Sequence, residues 1–123
     1  MLQEGLCHSV STLVTTENTA IAMGSGDMPV LATPALVALM ENAAMMCVQD
    51  LLPDGSTTVG GWIEVKHLKA SALDAEVKAT ATLTMIDGIK LSFDLVAYQG
   101  DVKIGEGKHL RFIVEREKFL SKL

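Results

Sequence analysis

The sequence predicts an α+β domain in which one long apolar helix is wrapped by an antiparallel sheet. Three features carry that expectation. A single run, Thr33 to Leu52, has the start and stop signals of a helix and is apolar almost all the way round. Four segments after it, and one before it, read as strands. The joints between the later strands are short turns, with no internal repeat and no low-complexity linker. At 123 residues the chain is expected to be one domain, 1–123, large enough for one hydrophobic core and too small for two.

The helix comes first in importance. Thr33 is an N-cap type, Pro34 suits the first helical position, and Pro53 with Asp54-Gly55 supplies the stop. A helix this apolar belongs inside a core. Glu41 is the only ionisable side chain between Pro34 and Gln49 apart from the Cys47 thiol. An unpaired carboxylate in apolar surroundings is costly, so Glu41 is either paired structurally or used in chemistry.

The strands follow from alternation. Leu6 to Thr16 is rich in β-branched residues and reads as a first strand. Glu17 to Val30 holds Gly24-Ser25-Gly26-Asp27 and Met28-Pro29, which break regular structure, so it reads as a surface connection that could also act as a lid. Thr57 to Leu68 is a strand opening on Gly60-Gly61, a pair that permits close approach of another backbone or a ligand. Glu76 to Met85 alternates strictly, with Val77, Ala79, Ala81, Leu83 and Met85 expected inward. Asp87-Gly88 is a hairpin signal, and Lys90 to Tyr98 alternates again through Leu91, Phe93, Leu95 and Ala97. Gln99-Gly100-Asp101 leads into a last strand, Val102 to Val114, and the tail Glu115 to Leu123 reads as helical. The four later strands are expected to form a meander. One sheet of about five strands covers only one face of the helix and leaves its own edges bare, which an oligomer would resolve.

Composition narrows the function. Apolar residues make up 49% of the chain but aromatic ones only 4%, so the core rests on Leu, Val, Ile, Met and Ala. A net charge of −5 with scattered Lys and Arg lacks the basic footprint of a nucleic-acid binder. Cys7 and Cys47 share no metal or redox spacing and read as reduced thiols. His8, His67 and His109 share no ligand spacing either, so no metal is expected. Met1-Leu2-Gln3-Glu4-Gly5 lacks the basic start and apolar run of a secretory signal, and Glu41, Asn42, Gln49 and Asp50 interrupt the helix as a membrane span. A cytoplasmic location with no membrane partner is the expectation.

Thr33, Glu41 and His67 are the candidate catalytic constellation. Thr33 alone reads as a plain cap, Glu41 as a structural carboxylate and His67 as a satisfied strand histidine; together they offer a hydroxyl, an acid and a base. Thr33 and Glu41 stand about 12 Å apart along one helix, so direct contact within a subunit is not expected. An antiparallel partner across a two-fold interface is the favoured way to bring both to one reacting centre.

The pattern Leu31-Ala32-Thr33-Pro34, Leu39-Met40-Glu41, Gly60-Gly61 and Lys66-His67 resembles the hotdog-fold acyl-CoA thioesterases, most closely the group containing fluoroacetyl-CoA thioesterase. The resemblance runs from about Gly5 to Phe119 and includes Ile104 to His109, Arg111 and Glu117-Lys118-Phe119. It implies a hotdog fold, homodimers that can assemble further into tetramers, and sites at the interface. It also implies catalytic positions at Thr33, Glu41 and His67, with Gly60 and Arg111 lining an acyl pocket beside Gly61. Coenzyme A would enter as part of the substrate, with no separate cofactor. Its phosphates would run near basic side chains, with Lys66, Lys69, Lys108 and Arg111 as candidates. Where the fluoroacetyl-specific enzyme carries aromatic side chains in its lid, this chain has Gly24-Ser25-Gly26-Asp27-Met28, which implies a different or broader acyl group.

Thioester hydrolysis needs a nucleophile, a proton acceptor and donors for the oxyanion. Glu41 could attack the carbonyl or activate water, His67 could shuttle a proton or orient Glu41, and Thr33 could position the carbonyl or act as nucleophile. Two other classes remain open. A hotdog hydratase or dehydratase usually places its histidine before the central helix, where this chain has only His8. A non-catalytic acyl-CoA binding protein would keep the pocket without needing Glu41.

Overall fold

The computed structural model describes residues 1–123. Strand β1 (Cys7–Leu13) is followed by a short helix α1 (Ala20–Met23) and the long helix α2 (Thr33–Gln49). Strands β2 (Ser56–His67), β3 (Glu76–Asp87), β4 (Lys90–Gln99) and β5 (Val102–Glu115) follow, and helix α3 (Arg116–Ser121) closes the chain. The five strands form one antiparallel sheet in the order β1-β3-β4-β5-β2.

That order corrects the expected four-strand meander. Strands β3, β4 and β5 do follow one another through tight hairpins, and Gly88 and Gly100 supply the positive φ their turns require. Strand β2 instead pairs with β5 at the far edge. The stretch between β2 and β3 has no tight-turn signal; it crosses beneath the chain, where Ser71 O accepts from the Leu31 N–H at 2.9 Å and Val30 bridges Ala72. The β3 edge left vacant is taken by β1.

The core lies between the sheet and one face of α2. Leu36, Met40, Ala43, Ala44 and Val48 recur at helical spacing and are buried against Val77, Ala79, Ala81, Leu83, Leu91, Phe93, Leu95 and Ala97. Alanine on both sides lets helix and sheet approach closely, and each larger side chain taken wholly from water contributes about 1.5–3 kcal/mol. Met85, expected inward, is instead 54% exposed, because the register shifts between Leu83 and Met85 and turns the next inward position over to Ile86.

Helix α2 is shorter than the apolar run, ending at Gln49, and it is not enclosed on every side. Ala38, Asn42 and Met46 form an exposed stripe, because one sheet covers only one face. Where a featureless connection was expected, α1 appears, capped by the Thr19 hydroxyl and ended by Gly24 in the left-handed region. No helix is long and apolar enough to cross a membrane.

Candidate active site

The N-cap of α2 is Ala32, so Thr33 is the first helical residue and its side chain caps nothing. That frees the hydroxyl. Thr33 Oγ1 lies 2.8 Å from His67 Nδ1. His67 is the last residue of β2, held by its pairing with Gly105 and by the Leu68 N–H donating to Ile104 O at 2.7 Å. Burial lowers the His67 pKa, and the Lys69 backbone offsets only part of that, so the imidazole is neutral near pH 7. Its Nε2 is buried without a partner. A cleft of about 260 Å³ adjoins this pair, walled by Ala20, Ser25, Val30, Leu31, Leu68 and Lys69.

A second cluster forms around the middle of α2. A Cβ added to Gly60 would stand 3.1 Å from Glu41 Oε2, 3.3 Å from His109 Cε1 and 3.5 Å from Arg111 Nη1. The missing side chain is therefore the space on which carboxylate, imidazole and guanidinium converge. Arg111 is only 7% exposed. Its Nε donates to Thr58 Oγ1 at 2.7 Å and its Nη2 to the Thr58 carbonyl at 2.9 Å. Burial lowers the Arg111 pKa and the Glu41 charge opposes it; a guanidinium stays protonated regardless. The ion pairs of the chain, Lys103 with Glu106 and Lys108 with Asp94, do not involve Glu41. The Glu41 side chain is half-buried.

The structure thus divides the residues singled out by sequence. It brings Thr33 to His67, and Glu41 to Gly60 and Arg111, as two clusters about 12 Å apart along α2. Gly61 belongs to neither: it sits in a bulge between Gly60 and Trp62, and a Cβ there would run into the Phe112 ring. Of the basic candidates for phosphate, only Lys69 lines the cleft beside Thr33 and His67. Lys66 and Lys108 lie on the outer face of the sheet, and Arg111 is committed to Thr58. Thr58 and His109 were not assigned a role from sequence. For His109 a signal existed, since it shares β5 parity with Arg111.

A family model described as fluoroacetyl-CoA-specific thioesterase matches residues 14–117. The chain belongs to that thioesterase family. The fluoroacetyl-CoA thioesterase of Streptantibioticus cattleyicolor is 35% identical over 94 residues, 76% of this chain and 68% of that protein. A solved variant of the fluoroacetyl-CoA thioesterase in complex with acetyl-CoA superposes with a TM-score of 0.92 at 28% identity, covering 98% of this chain and 96% of the other. A hot-dog-like protein from Thermanaerovibrio acidaminovorans, 20% identical, superposes with a TM-score of 0.89 over 98% of this chain and 90% of that one, which shows the fold. The architecture is the hotdog, a curved antiparallel sheet around one long helix. Within that family frame, Thr33, Glu41, Gly60, His67 and Arg111 all lie on the helix or on the β2–β5 side of the sheet.

Proposed function

We propose that this protein hydrolyses small acyl-CoA thioesters to the free acid and coenzyme A, working as a homodimer with Glu41, Thr33 and His67 in each site. Family membership supports the reaction class, and the observation that carries the residue assignment is the convergence of Glu41 and Arg111 on the empty side-chain position of Gly60. In this reading Glu41 takes a proton from water as the oxygen adds to the carbonyl carbon. The developing oxyanion faces an Arg111 N–H. Collapse breaks the C–S bond, and the proton held by Glu41 passes to the departing thiolate.

Thr33 and His67 hold the thioester. With its proton on Nδ1, the neutral imidazole donates to Thr33 Oγ1 and leaves the hydroxyl proton free for the substrate. Within one chain this pair is too far from Glu41 to share a reacting centre. Strand β2 is an open edge of the sheet, and Glu41 of α2 lies against its Gly60. Antiparallel pairing of two such edges about a two-fold axis between Ile63 and Glu64 would set Gly60 opposite His67 of the partner subunit. Lys69 would then meet a coenzyme A phosphate at the cleft mouth. The Gly24–Met28 segment offers no aromatic side chain to grip fluorine, so the acyl group is small but not fluorine-selected.

The test is thiol release from a series of short acyl-CoA thioesters, wild type against Glu41→Gln. Turnover abolished in the variant supports the reading. Tight acyl-CoA binding without turnover would transfer the chain to the binding proteins, and hydration of an enoyl-CoA to the hydratases.

A further inference from the structure

We infer that His109 is a positioning residue, acting through Arg111: as a neutral acceptor it fixes the guanidinium so that a free N–H is presented over Gly60. The inference rests on the proposed thioester hydrolysis and adds a residue to its machinery. The His109 ring is 1% exposed and its Nδ1 lies 2.8 Å from the Trp62 carbonyl. A carbonyl only accepts, so Nδ1 carries the proton, and the neutral ring has its lone pair on Nε2. That atom lies 3.2 Å from Arg111 Nη1, which donates to it.

The guanidinium has five N–H groups, and one on each nitrogen is now engaged, by Thr58 Oγ1, the Thr58 carbonyl and His109 Nε2. Two remain. One is on Nη1, the atom that stands 3.5 Å from the vacant Cβ position at Gly60. Thr58 alone holds the Nε and Nη2 side; the nitrogen nearest the reacting space is held by His109. The surroundings keep the ring uncharged. Burial lowers its pKa, the Trp62 carbonyl raises it, Arg111 lowers it and Glu41 on α2 raises it, while β4 presents only the Phe93 ring, 6.2 Å away between centroids. A protonated ring could not accept from Arg111.

The experiment is a double-mutant cycle with steady-state kinetics on acetyl-CoA. His109→Leu should lower kcat by about 100-fold, the effect of an ångström-scale misplacement. In an Arg111→Gln background the same substitution should cause no further loss, because the group it positions is gone. His109→Gln, which can donate to the Trp62 carbonyl and accept from Nη1, should recover most of the activity even where its melting temperature falls below that of His109→Leu. His109→Phe, which keeps a ring in the buried space but offers no acceptor to Nη1, runs through the same cycle if His109→Leu does not fold. Equal losses in both backgrounds, or activity that follows melting temperature across the variants, would overturn the inference. Wild-type protein inactive on every short acyl-CoA would instead overturn the hydrolysis itself.

Discussion

Thr33 Oγ1 and His67 Nδ1 are hydrogen-bonded at 2.8 Å across 34 residues of chain, although Thr33 has the sequence context of a cap. The bond exists because Ala32 takes the cap position with an extended backbone, φ −67° and ψ 140°, which turns the threonine outward to the end of β2.

A cap threonine replaced by alanine costs about 1 kcal/mol of stability. Thr33 caps nothing, so Thr33→Ala should leave the melting temperature almost unmoved while lowering kcat/KM, and Thr33→Ser should keep most of the activity. Thermal melts read beside thiol-release kinetics check this; a large drop in melting temperature would restore the capping role.

Glu41→Gln keeps the shape and removes the base. General-base loss costs about 10²–10⁴-fold in rate, so kcat should fall within that range with KM little changed. The side chain makes no ion pair, so the fold should be unaffected. Circular dichroism and kinetics together report both.

Shared sites make a distinctive prediction. Glu41→Gln and His67→Ala proteins, each inactive, should regain roughly a quarter of wild-type activity when unfolded together and refolded, since statistical mixing makes about half the dimers mixed and each has one intact site. No recovery, with mixed dimers demonstrated by mass, would place all three residues in one chain.

The neighbouring glycines should part company. Gly60→Ala puts a methyl group into the space facing Glu41 and Arg111, and should depress activity more than stability. Gly61→Ala drives a Cβ into the Phe112 ring and should lower the melting temperature, as overpacking typically costs about 1–3 kcal/mol.

Acid should weaken the fold. His67 and His109 have pKa values below the ordinary 6.5, burial being the largest cause for each. The unfolded chain therefore binds protons that the folded chain refuses. The stability this represents is fully present above pH 6.5 and is lost as pH falls through the window beneath it. Melting temperatures followed from about pH 8 to about pH 5 should decline on the acid side, and His109→Gln should flatten part of that decline.

The chain itself determined the α+β class, the helix, all five strands and the family, because periodicity and turn residues are local properties written in contiguous positions. Thr33, Glu41, Gly60, His67 and Arg111 were singled out as candidates for a related reason, as a spacing shared with a family. Only the tertiary structure decided that β2 crosses to pair with β5, that a register shift turns Met85 out to solvent, and that Gly61 serves Phe112. It alone brought His67 to Thr33, and placed His109 and Thr58 around Arg111. Each of these depends on which distant backbone lies alongside, and pairing energy between strands is not encoded in either strand by itself.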